Sequence, residues 1–278
     1  MIELELRRTL LNKKMLSILI LGVIVIFFSS FIYLKDYIFF DYSAADLQTP
    51  ELQQNAKEMV SQALNKYDVW LAGFSWYIFI MPIISALPHA TTYIEDIENN
   101  MITNINSRIN HWKYVCTKII INAISGGVAV TIPIIMSLII TSLLFTTEIQ
   151  YFSMYKAFGG IFNDLFKNRI YTYMLIHLGI EFLFGCSYAT IALAVSTKIK
   201  NSMAILLAPF LFWAGGSVIV ELIHLPVSAP MDINQFYVCK NLTLQEILIQ
   251  LIFIFLVSSL AFIFNTRKED IYEKRDLL

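Results

Sequence analysis

Residues 15–34 read MLSILILGVIVIFFSSFIYL, and this stretch decides the fold. It carries no charged side chain and no alternation of polar with apolar residues. A hydrocarbon core about 30 Å thick is crossed by roughly 20 apolar residues wound as a helix. A barrel strand would alternate its two faces residue by residue. With no water to pair the backbone inside a bilayer, helices and closed barrels are the two available solutions. The stretch therefore predicts a transmembrane helix.

Outward from it, five more runs of the same kind follow, at about 70–88, 119–145, 171–195, 203–223 and 244–264. Of the 278 residues, 57% are hydrophobic and 15% charged. A soluble domain carries nearer a quarter charged residues. The expectation is an all-α membrane protein with six transmembrane helices in a single transmembrane domain spanning 1–278. The first run is too long for a signal-peptide core, and no small-residue cleavage pattern follows it.

Net charge is −1, but the distribution of cations carries the information. With the N-terminus placed inside, Lys and Arg number thirteen on the inner segments and seven on the outer ones. The inner set comprises Arg7, Arg8, Lys13, Lys14, Arg108, Lys113, Lys118, Lys198, Lys200, Arg267, Lys268, Lys274 and Arg275. That bias predicts cytoplasmic N- and C-termini. Residues 1–14, MIELELRRTLLNKK, mix leucines with cations and predict an amphipathic interfacial helix on the inner membrane surface.

The outer segments are 35–69 and 146–170. In the first, Thr49 is placed to cap a helix, Pro50 to occupy its first position and Glu51 to face the positive end of its dipole. Leu52, Ala56, Met59, Ala63 and Tyr67 then form one apolar face. In the second, Tyr151, Tyr155, Phe158, Phe162 and Phe166 share a stripe. It reads as an interfacial anchor or a substrate-contacting surface.

Catalytic signatures are missing. There is no phosphate-cradling Gly-rich loop followed by Lys-Ser/Thr, no His-Glu-x-x-His, no Cys-x-x-Cys and no Gly-x-Ser-x-Gly. His89, His111, His177 and His224 lie in separate segments, and Cys116, Cys186 and Cys239 do not form a disulfide framework. The chain is expected to bind no metal or cofactor and no nucleic acid, and not to be an enzyme.

Two places hold chemistry. Tyr173, His177 and Glu181 recur at helical spacing in the fourth run, with Glu181 roughly 15 Å along a helix rising about 1.5 Å per residue. A carboxylate at that depth costs about 2.5 kcal/mol or more unless paired or hydrated. These residues should therefore face the bundle interior, a subunit interface or a wet cavity, as a structural pair or as a substrate or proton site. Glu221 and His224 read as a solvated end of the fifth run. Gly126, Gly127, Pro133, Pro209, Gly215 and Gly216 permit kinks or close helix contact.

The second place is the inner segment 89–118. Glu95, Asp96 and Glu98 follow a span directly, and Asn99-Asn100 breaks the pattern. Met101, Ile102, Ile105 and Ile109 then form a short amphipathic stretch leading through Arg108 to Trp112, Tyr114 and Lys118. Exposed apolar side chains beside a membrane need a partner to cover them.

At this segment the chain resembles the permease subunits of bacterial type-2 ABC exporters. Those carry an acidic cluster after the second span and a coupling segment ending in Arg, an aromatic and Lys. The matching residues here are Glu95, Glu98, Arg108, Trp112 and Lys118, while Asn99 or Asn100 stands where a glycine is often found. The interfacial first helix, the six spans, the tight turn STKIKN after the fourth span and the stretch 185–208 are similar too. The resemblance implies a separate ABC ATPase subunit holding ATP and Mg, docked on Glu95, Glu98, Ile102, Ile105, Arg108 and Trp112. It also implies a second permease subunit, the same or different, surrounding membrane lipid, and a place in the bacterial cytoplasmic membrane. The implied work is export of an amphiphile such as a peptide, lipid or drug. Two alternatives stay open: a proton-coupled secondary transporter working through Glu181 and His177, and a non-transporting scaffold or sensor subunit. The first should show internal repeats, and none is visible.

Overall fold

The computed structural model describes residues 2–44, 47, 49–99, 101, 110–145 and 160–276. Every regular element among them is a helix: α1 (Ile2–Leu10), α2 (Lys13–Ile38), α3 (Pro50–Ala63), α4 (Lys66–Ala72), α5 (Phe74–Ala86), α6 (Thr92–Glu98), α7 (His111–Leu144), α8 (Asn163–Asn168), α9 (Ile170–Val195), α10 (Ser202–Ile223), α11 (Pro230–Asn234) and α12 (Leu244–Asp276), with a 3-10 turn at Gly160–Phe162. Five of them, α2, α7, α9, α10 and the Leu244–Thr266 part of α12, are long and apolar enough to cross a membrane. α4 and α5 meet that test together, as a pair bent by 49°, so the number is six where the bent pair counts as one span.

Capping side chains set several helix starts. Asn12 accepts from Met15 N at 2.7 Å to open α2, and Thr49 accepts from Leu52 N at 3.3 Å, with Pro50 in the first turn of α3. Asn110 accepts from Trp112 N at 3.0 Å. That cap starts α7 well before the apolar run at 119, so the polar residues 111–118 form its first two turns rather than a loop.

α9 is the central helix, packed against α7, α12, α5 and α10, while α2 lies against α7 and α5. Glycines set the α7–α9 distance. A Cβ on Gly126 would lie 2.5 Å from the Ala189 Cβ and 2.7 Å from the Gly185 carbonyl oxygen. One on Gly185 would lie 2.6 Å from the Gly126 oxygen. Such backbone-to-backbone approach is how helices gain van der Waals contact where lipid removes the hydrophobic drive.

The run at 70–88 is not one straight span. Gly73 breaks it, and a Cβ there would meet Ile26 Cγ2 at 2.7 Å and Ser30 Oγ at 2.9 Å, so α2 crosses directly at the break. Two serines of α2 take up the polar groups the break releases. Ser29 Oγ donates to Ala72 O at 2.9 Å and accepts from Trp76 N at 3.3 Å, and Ser30 Oγ donates to Val69 O at 3.2 Å. A broken helix is tolerated at membrane depth only where neighbours satisfy it in this way. Ser29→Ala removes the donor to Ala72 and the acceptor for Trp76. It should cost about 1 kcal/mol, read as a lowered midpoint in reversible denaturant unfolding of the detergent-solubilised protein.

Candidate functional site

The base of the bundle collects its charges. α6 presents Thr92 and Asp96 one helical turn apart, and α7 presents Tyr114 and Lys118 in the same way, so the two pairs interlock. Lys118 is fully buried, and its Nζ lies 2.6 Å from Asp96 Oδ2 and 3.6 Å from Glu5 Oε2. It also donates to Thr92 Oγ1 at 3.3 Å, while the Tyr114 hydroxyl donates to Asp96 Oδ2 at 2.9 Å. Glu5 comes from α1, which lies against the start of α7. Arg8, on the same helix, reaches Asp96 Oδ1 and Glu95 Oε2, each at 3.8 Å. Lys14 meets Glu95 at 3.4 Å, and Thr91 donates to the same carboxylate at 3.1 Å. Tyr93 packs edge-on against Phe262 of α12, seating α6 on the last helix as well.

His89 ties the turn after α5 into this base. Thr9 Oγ1 donates to Glu5 O at 2.8 Å, which uses its one hydrogen. The 3.0 Å contact between Thr9 Oγ1 and His89 Nδ1 therefore has the imidazole Nδ1–H as donor. Burial first, then the charges of Lys118 and Arg8, hold this imidazole far below its ordinary value, down to about 3.

The residues expected for ATPase coupling divide. Glu95 is partly exposed and held by Arg8, Lys14 and Thr91. Glu98 is exposed at the end of α6, and Trp112 is 48% exposed on the first turn of α7. Ile97 and Met101 are exposed apolar side chains beside them in sequence. Ile102, Ile105 and Arg108 lie outside the described residues. The sequence reading passed over Asp96, Glu5 and Thr92 as site residues. The signal was present in the one-turn spacings 92/96 and 114/118, but only the fold shows that they face each other.

The second cluster lies within the bundle. Tyr173, His177 and Glu181 are all buried. The imidazole of His177 is enclosed by rings: Phe74 stacked at 4.9 Å, Phe236 at 4.9 Å, Trp70 at 5.2 Å, Tyr173 at 5.8 Å and Tyr237 at 6.0 Å between centroids. Trp70 and Phe74 flank the break at Gly73, whereas Phe236 and Tyr237 come from the connection between α11 and α12. That connection is pinned by the Ile161 N–H, which donates to Phe236 O at 3.3 Å. Gly160 beside it adopts φ +50°, and a Cβ there would collide with the Phe236 oxygen. His177 Nε2 stands 3.8 Å from Glu181 Oε1, too far for a hydrogen bond. The Tyr173 hydroxyl and Glu181 Oε2 are buried without a hydrogen-bond partner. A polar group so placed costs free energy until something pairs with it. At the end of α10, Glu221 and His224 are exposed, with His224 in the left-handed region at φ 51° as the cap. No group of three His, Cys, Asp or Glu able to hold a metal occurs among the described residues.

Comparison with protein-family models, with curated proteins and with solved structures finds no match.

Two outcomes follow from the base. Breaking a buried pair by removing one partner costs about 3–5 kcal/mol, whereas replacing both by apolar groups is far less costly. Lys118→Met and Asp96→Leu should each destabilise strongly, and the double variant should recover much of the loss in a double-mutant cycle of unfolding free energies. For His89, the unfolded imidazole titrates near 6.5 and the folded one far lower. The stability given by its neutral form is thus whole above about pH 6.5 and is lost as pH falls towards 3, by up to about 1.4 kcal/mol per unit. His89→Gln keeps a donor for Thr9 and should flatten that part of the stability–pH profile relative to wild type.

Proposed function

We propose that the chain is the membrane-embedded permease subunit of an ABC-type exporter in the bacterial cytoplasmic membrane, with both termini in the cytoplasm. It carries no motor of its own and works with a second permease subunit and a separate ATPase that holds ATP and Mg. Its cargo is an amphiphile, with a peptide the preferred class among peptide, lipid and drug. The observation that carries this reading is the way α6 is fastened. The interlocked Lys118–Asp96–Tyr114 contacts join it to α7, and α1 clamps both through Glu5 and Arg8. A push on the 94–112 segment would reach α7 through a stiff joint rather than be absorbed by a loose loop. Exposed Trp112, Ile97, Met101 and Glu98 at that end provide mixed apolar and acidic surface for such a partner.

The buried Tyr173–His177–Glu181 cluster favours a second reading, in which a proton drives transport through Glu181 and His177. Purification from the native membrane in mild detergent separates the two. A near-stoichiometric ABC ATPase that is lost when residues 94–112 are scrambled, while the protein still inserts, is the expected outcome. Repeated absence of any ATPase under several gentle conditions would overturn the exporter reading, and protonophore-sensitive transport would then take its place.

A further inference from the structure

On the flank of the bundle, α7, α9 and α12 enclose a cleft of about 290 Å³ whose walls include Ile120, Ala123, Leu183, Cys186, Ile252 and Phe255. Its origin lies in how the three helices are fastened. Gly126 and Gly185 draw α7 onto α9. The Ser187 hydroxyl, 2.9 Å from the Leu251 carbonyl, draws α12 onto the other side of α9. α7 and α12 are not fastened to each other in the same way, so they diverge and leave a wedge between them.

We propose that this cleft binds one acyl chain of a bilayer lipid, an inference that rests on the chain's spanning a membrane. The lining decides the class of ligand. It holds no charged side chain, and the Ser187 hydroxyl is already committed to backbone oxygens at Leu183 and Leu251. A headgroup, a sterol hydroxyl or a peptide backbone would enter with polar groups unpaired, which costs free energy at this depth. Water has no set of polar partners there and is equally disfavoured. An unfilled slot forfeits dispersion contacts along its walls. The mouth decides the source. Ile120, Leu183 and Ile252 at its rim are 44%, 39% and 53% exposed. All three lie within helices long and apolar enough to cross a membrane, so the cleft opens sideways where acyl chains lie. A chain inside touches three helices at once, whereas a chain against the outer face of α10 touches one. It should therefore stay longer than ordinary boundary lipid.

The test uses the full chain in nanodiscs of phosphatidylcholine carrying a diazirine midway along one acyl chain. After illumination, adducts are mapped by mass spectrometry. Leu211 and Val218 on α10, 64% and 54% exposed, report ordinary boundary lipid. Adducts at Ile120, Cys186 and Ile252 should exceed those at Leu211 and Val218 several-fold. They should fall to the α10 level in Ala123→Leu, which fills the wall, and in Ile120→Trp, which plugs the mouth from an exposed position. Equal labelling of both faces overturns the proposal and leaves only boundary lipid. Adducts joining two protein copies through these residues overturn it in favour of a subunit contact. Absence of adducts everywhere, α10 included, removes the membrane reading itself and is thereby distinguishable from failure of the cleft alone.

Discussion

The crossing of α7 and α9 at Gly126 and Gly185 is the contact on which the rest of the bundle depends. Two backbones can approach this closely only without side chains, and each glycine stands where a Cβ would strike the other helix's carbonyl. With the two helices joined, α9 presents its remaining faces to α5, α10 and α12. α2 then packs into the angle between α7 and α5, with Gly22 against the ring of Pro133. The helices that meet α9 on one side alone, α10 and α12, keep broad apolar faces outside the core. The core cluster draws mainly on α2, the α4–α5 pair, α7 and α9, with Trp213 from α10 and Ile247, Leu251 and Ile254 from α12 joining it; Trp70, Tyr77, Phe184 and Trp213 are among its largest buried side chains.

A second constraint acts at the base. Lys118 is fully buried, and a lone ammonium there would be prohibitive. Asp96 alone would neutralise it but leave further donors unpaired. Thr92, Glu5 and the tyrosine hydroxyl that shares Asp96 complete the shell, and they come from α1, α6 and α7. The chemistry of one charge thus ties the short helices α1 and α6 to the start of α7. The same arrangement gives α1 a role within the fold: Glu5 reaches the buried Lys118, and Arg8, itself exposed, reaches Glu95 and Asp96.

Hydropathy made the long helices legible, because length and continuous apolarity suffice for that. The α3 start was legible too, since Thr49, Pro50 and Glu51 are local signals. The break at Gly73 was not. A glycine in an apolar run has several uses, and the serines that make this one a bend lie more than forty residues earlier, on α2. The start of α7 was missed for the opposite reason: its first two turns are polar, so a search for apolar runs ends at Lys118 while Asn110 carries the cap. At the two clusters, spacing showed that Tyr173, His177 and Glu181 share a face and that Glu95, Asp96 and Glu98 form an acidic group ahead of the 101–109 stretch. It could not show the four other rings around His177 or the partners of Lys118, because each joins residues far apart in sequence.

α5 connects these two clusters. Its thirteen residues span roughly 20 Å, from Phe74 against His177 at one end to the turn holding His89 at the other. At the lower end, His89 is locked to Thr9 of α1, and Thr92 to Lys118 of α7. At the upper end, the bend at Gly73 separates Phe74 from Trp70, yet both rings press on the same imidazole. A helix of this length is stiff on the scale of side-chain contacts. Any displacement of the base relative to α9 must therefore either change the angle at Gly73 or pull Phe74 away from His177. The serines of α2 resist the first course, since three hydrogen bonds hold the bend at its present angle. The ring stack resists the second only through dispersion and aromatic contacts, which are individually weak and tolerate sliding. Of the two, the aromatic enclosure of His177 is the softer joint, and it is the one next to the buried carboxylate of Glu181.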